Sequence, residues 1–128
     1  MKDSSVKVPP HNEEAEISVL GSILIDKDAI FTVAPIIRPE YFYKDIHAFI
    51  YEACLSLYED REPIDLITVA DKLKKSKRLK KIGGSSYLAS LVERVPTSAH
   101  IEMYAKIVKD VATKRELITN ASKLVESA

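Results

Sequence analysis

The chain has a single cysteine, Cys54, and no tryptophan. One cysteine excludes an internal disulfide framework and fits a reducing, cytoplasmic setting. It falls within an apolar helical pattern, where it reads as a small core residue. Only three glycines and six prolines occur in 128 residues, so turn chemistry is scarce and a helical protein is expected. No apolar run approaches the ~20 residues that span a bilayer. The first eight residues are too polar for a signal peptide, and Met1 reads as a native start. Formal net charge is zero, which excludes a global pull toward nucleic acid or an anionic membrane. No glycine-rich loop is followed by Lys-Ser or Lys-Thr, so there is no phosphate-cradling P-loop. His11, His47 and His100 stand far apart, and nothing supports a zinc site or a Cys/His nucleophile. No catalytic residue, metal ligand or cofactor is expected within this chain.

What is present is an ordinary globular composition, 46% hydrophobic and 30% charged, long enough for one domain with a real core. The charge is split. Residues 1–66 carry 13 acidic and 6 basic side chains, net −7, and residues 67–128 carry 6 and 13, net +7. Solvated faces explain this; head-to-tail packing between copies is the sharper alternative.

Taken in order, residues 1–11 read as a disordered arm ending at Pro9-Pro10. Asn12 is the expected cap of a first helix running to about Leu24, with Glu13, Glu14 and Glu16 favouring its positive end. Gly21 inside that helix costs about 1 kcal/mol against Ala and so should mark close helix–helix contact. Asp26 is expected to cap a second helix, ended by Pro35. A short turn follows Pro39. The next helix is expected over 45–59, with Ile46, Phe49, Ile50, Ala53 and Leu57 inward. His47 beside that stripe, with no second ligand at metal spacing, reads as a structural hydrogen-bonding histidine. Asp65 caps a helix to about Lys75 with Val69, Ala70 and Leu73 inward. Residues 72–81 then hold seven basic side chains. Within them Lys74, Lys75, Lys77 and Arg78 are candidate phosphate contacts. No aromatic interleaves the run, so it offers no base-stacking surface, and a solvated face is the plainer reading. Leu79 and Ile82 anchor a short helix within the run, and Gly83-Gly84 ends it, the first glycine left-handed. Ser85 or Ser86 caps the next helix, and Thr97 or Ser98 the last.

That last helix, over 99–128, is the feature that sets the rest in order. Ile101, Tyr104, Val108, Val111, Ile118 and Val125 form one apolar line, and Met103, Ile107, Leu117, Ala121 and Leu124 a second. It should be roughly 45 Å long, against a head about 30–35 Å across, so one end should overhang. Leu117, Ile118, Ala121, Leu124 and Val125 on that end would need a partner from outside the chain. No glycine or proline stops the helix at Ser127-Ala128, which reads as a cut inside a larger helical assembly. The expected fold is all-α: residues 12–96 as a compact head of about six helices, then residues 97–128 as one long helix.

Five ordered motifs then carry a resemblance. They are Pro10-His11-Asn12-Glu13-Glu14-Ala15-Glu16 leading into Val19-Leu20-Gly21-Ser22-Ile23-Leu24; Phe42-Tyr43 with His47, Ile50 and Tyr51; and Pro63-Ile64-Asp65-Leu66-Ile67-Thr68-Val69 with Leu73. Gly83-Gly84-Ser85-Ser86-Tyr87-Leu88-Ala89-Ser90-Leu91 and Tyr104-Ala105-Lys106-Ile107-Val108 with Arg115-Glu116-Leu117-Ile118 complete the set. Together they resemble the N-terminal domain of the bacterial replicative DNA helicase, the DnaB family. The resemblance implies that the long helix is the first arm of a helical hairpin, with the second arm and a RecA-like motor outside this chain. It implies a homo-oligomer, with dimers assembling three together into the collar of a hexameric ring. It also implies docking of primase and a role in ring opening and loading, with a helicase loader as a further partner. DNA is then contacted through the parent ring, and ATP and magnesium belong to the motor, which drives 5′-to-3′ unwinding. Two rival readings differ in class: a helicase-binding C-terminal domain of a primase, and a nucleic-acid module using Lys74, Lys75, Lys77 and Arg78.

Overall fold

The computed structural model describes residues 8–127; the arm expected over 1–11 falls largely on residues outside that range, and Ala128 also lies outside it. Helix α1 spans Glu13–Ile25, and Asn12 caps it as expected, its side chain accepting the Ala15 N–H at 2.9 Å. Buried residues run all the way round α1, from Ala15 and Ile17 through Val19, Leu20, Ile23 and Leu24. A helix that is apolar on every side belongs in the middle of a fold, and α1 is packed against α3, α6 and α7 together. Gly21 makes one of those contacts possible: a Cβ there would lie 2.6 Å from the Leu91 carbonyl oxygen and against the Val95 side chain.

Helix α2, Ala29–Val33, ends just before Pro35, and a one-turn 3-10 helix, Pro39–Tyr41, begins on its proline. Asp26 does not cap α2 in the expected way. It ends α1, and its carboxylate accepts the Asp28 N–H at 3.0 Å and the Ser98 hydroxyl at 2.8 Å. These two bonds, the backbone one first, hold its carboxyl below the usual carboxylate range.

Helix α3 occupies Asp45–Glu59. Its buried face is rotated from the expected stripe: His47, Ile50, Tyr51, Ala53, Cys54 and Leu57 face inward, while Ile46 and Phe49 are half-buried. Two polar-tipped rings go inside because the fold satisfies them. Tyr51, for example, donates its hydroxyl to the Ile37 carbonyl at 2.8 Å. Burial, with Cys54 adjacent, raises the Tyr51 phenol well above its ordinary value, and burial pushes the Cys54 thiol up to about 12.

Helix α4, Leu66–Lys75, opens on a reciprocal capping box between Asp65 and Thr68. Helix α5, Leu79–Ile82, stops at Gly83 with φ +105°, the left-handed conformation expected of it. Helix α6, Gly84–Glu93, then starts directly on the second glycine. Neither Ser85 nor Ser86 caps it; Ser86 instead donates back to the Gly83 carbonyl at 3.4 Å. Helix α7 spans Ile101–Ser127, starting two residues later than expected. Thr97 accepts the Ala99 N–H ahead of it, while Ser98 is engaged with Asp26. The described residues are all-α, a six-helix head and one long helix, as the sequence indicates.

Candidate docking arm and its base

Helix α7 divides at Ala112. Before it, Ile101, Ala105, Val108 and Ala112 recur at helical spacing and are buried against α1, α2 and the Pro39–Tyr41 turn. After it, Arg115 is half-buried and every described residue from Glu116 onward is exposed. The overhang expected from length alone is therefore present, projecting roughly 20 Å over residues 113–127. It carries large apolar side chains into solvent: Leu117 is 63% exposed, Ile118 54%, Leu124 73% and Val125 76%. Ala121 is exposed among them. Their spacing places the five on one side of the rod.

At the base of the overhang sits a cleft of about 750 Å³ between α7 and the head, with Pro10, Glu40, Tyr41, Arg115, Ile118 and Lys123 among its walls. Arg115 crosses it. One guanidinium nitrogen donates to the Pro10 carbonyl at 2.9 Å and the other to the Tyr41 carbonyl at 2.7 Å. The same guanidinium lies 5.5 Å from the Tyr43 ring centroid, and His11 stacks on that ring at 4.2 Å.

Tyr43 leads into the interior. Its N–H donates to Glu16 Oε2 at 2.7 Å, and His47 Nδ1 donates to Glu16 Oε1 at 2.7 Å. His47 Nε2 meets the Tyr87 hydroxyl at 2.6 Å, a contact a hydroxyl can make as donor or acceptor. Glu16 and His47 are almost wholly buried. His47 is thus the structural hydrogen-bonding residue expected of it. Glu16 departs from expectation: of the three acidic residues in the first turn, it turns into the core and ties α1 to α3, and His47 carries the link on to α6. Burial, then the carboxylates of Glu13 and Glu16, raise the Tyr87 phenol, opposed by Arg94. Glycine permits this arrangement at Gly83, where a Cβ would press on Tyr87 at 3.1 Å.

The basic run is only partly available. Arg78 pairs with Glu52 at 2.7 Å and lies over the Phe49 ring at 4.2 Å, and Lys75 pairs with Asp71 at 3.0 Å. Lys74 and Lys77 make no ion pair among the described residues. No group of three or more potential metal-ligating side chains exists among the described residues, and no helix there is long and apolar enough to cross a membrane. The sequence reading missed Arg115 as a contact residue. The available signal was a cation three residues after Ala112, continuing the buried line 101, 105, 108, 112.

The comparisons with known proteins agree with this architecture. The family model described as the DnaB-like helicase N-terminal domain matches residues 8–110. The replicative DNA helicase DnaB of Geobacillus stearothermophilus is 40% identical over 122 residues, which is 95% of this chain and 27% of that protein. The replicative DNA helicase DnaC of Bacillus subtilis is 40% identical over 120 residues, 94% of this chain and 26% of that protein. The chain thus spans about a quarter of the length of these relatives. Among solved structures, the N-terminal domain of DnaB helicase from Mycobacterium tuberculosis superposes with a TM-score of 0.91 at 42% identity, covering 93% of this chain and 83% of that one. The N-terminal domain of DnaB helicase from Helicobacter pylori, described with its interactions with primase, gives 0.78 at 27% identity, covering 90% and 89%. With the family model covering most of its length and its fold reproduced, the chain belongs to the DnaB-like helicase N-terminal domain family.

Proposed function

We propose that this domain is the oligomerisation and partner-docking part of a longer replicative DNA helicase, and is itself non-catalytic. The observation that carries the reading is the apolar end of α7, with Leu117, Ile118, Ala121, Leu124 and Val125 in solvent on a family scaffold. Exposing several large apolar side chains together is costly to solubility unless another surface covers them. The occupants proposed are the second arm of a helical hairpin and neighbouring copies of the domain, with dimers combining into the collar of a hexamer. Primase is the further partner, since solved relatives are described with their interactions with primase. ATP and magnesium would be used by a motor elsewhere in the longer protein, unwinding DNA 5′-to-3′ in the cytoplasm. A helicase loader and DNA would be met by the assembled ring. The relatives matched are helicases, which favours this reading over a primase domain.

Light scattering across a concentration series tests the association. The expected result is self-association in the micromolar range, strengthened when the chain is extended through a second hairpin helix and abolished by Leu117→Ser with Leu124→Ser. A strict monomer at high micromolar concentration, unchanged by the extension, would overturn the reading.

A further inference from the structure

The apolar contacts that seat α7 end at Ala112, and the next side chain to reach the head is Arg115. We propose that Arg115 is a positioning residue: it locks the direction in which the exposed arm leaves the head. The claim concerns the arm's direction whatever the arm binds; its bearing on docking rests on the function proposed above.

Three observations support the assignment. First, Val108 is the last branched side chain that α7 buries, and Ala112, one turn further on, contributes only a methyl group at the root of the overhang. A tilt of about ten degrees at Ala112 would carry Ser127, roughly 22 Å further along the helix, by about 4 Å. Such a shift would misplace any surface built on the arm. Second, the guanidinium is held by two carbonyls from separate segments, Pro10 ahead of α1 and Tyr41 in the turn before α3. A planar fork engaging two fixed acceptors defines an orientation that one flexible point charge does not. Third, the surface it grips is itself anchored. Tyr43, beneath the guanidinium, is stacked by His11 and tied through its N–H to the buried Glu16, which His47 links to Tyr87. Arg115 thus ties the arm to the segments that lead into α1 and α3, and among the described residues no other side chain beyond Ala112 hydrogen-bonds to the head.

Distance measurement between two spin labels, at Glu93→Cys on the head and Ser122→Cys on the arm, reads this directly. Cys54 is buried and its thiol is pushed up to about 12, so it does not compete for label. Labelled chain is diluted into unlabelled chain so that only distances within one molecule register. The expected result is one narrow distribution in the parent chain. Arg115→Ala and Arg115→Gln should each broaden it and move its mean by several ångströms, with helical circular dichroism unchanged. Arg115→Lys should remain broadened, because one ammonium cannot hold both carbonyls. Distributions of Arg115→Ala and Arg115→Gln that superimpose on the parent would overturn the proposal. Broadening accompanied by loss of helix in both would overturn it too, by assigning Arg115 to folding. A parent chain with a narrow distribution that never self-associates would reject the proposed function and leave this inference standing.

Discussion

Glu16 is a carboxylate with 1% of its surface exposed, accepting a backbone N–H from Tyr43 and the Nδ1–H of His47. Removing the acceptor leaves both donors desolvated and unmatched. Glu16→Leu should therefore cost about 1–3 kcal/mol for each of the two, read as a lower urea midpoint. Glu16→Gln, which keeps an acceptor, should cost distinctly less. The sequence could not separate Glu16 from Glu13 and Glu14, because all three suit the start of a helix equally well. Only the partner found 31 residues later decides which one is buried. His47 was legible because a lone histidine without companion ligands has few other uses.

At the scale of elements, the helix ends were readable where the cap is local. Asn12, Asp65 and Gly83 act within three residues of themselves, and the structure places them as expected. Asp26 was misread because its second partner, Ser98, is 72 residues away. That bond joins the end of α1 to the approach to α7. Its carboxyl is held below the ordinary value in the folded state, so its stabilising contribution is complete above the unfolded value. It is lost as pH falls through the folded value. Thermal stability should drop as pH falls through and below the ordinary carboxylate range, and Asp26→Asn should flatten that part of the profile. Gly21 belongs to this scale as well. The Leu91 carbonyl facing it is backbone and cannot swing aside. Gly21→Ala gains about 1 kcal/mol of helix propensity and meets about 1–3 kcal/mol of overpacking, so a net loss of up to about 2 kcal/mol is expected by chemical denaturation.

For the whole molecule, α1 is the axis around which α3, α6 and α7 are packed, and the buried residues form one continuous cluster from Ala15 to Val108. Cys54 lies inside that cluster with no exposed surface. Its reaction with a thiol reagent should follow global unfolding, slowing as the protein is stabilised, rather than any local opening of the head. Labelling in the native state at a rate unaffected by denaturant would show a separate route to α3. The arm lies outside this cluster, so substitutions at Leu117, Leu124 or Val125 should leave the stability of a monomer nearly unchanged and act on association.

The sequence by itself determined the all-α class, the positions of six of the helix starts to within a residue or two, and the overhang. Helical periodicity, local caps and a rod longer than its head are all properties of short stretches. Tertiary structure decided what depends on distant partners. It rotated the α3 stripe so that Tyr51 could reach Ile37, sent Glu16 into the core, and moved Asp26 from the head of α2 to a tie with Ser98. It also placed Arg115 across two loops at the root of the arm. A polar group's position is set by whichever partner satisfies it, and these partners come together only when the chain folds.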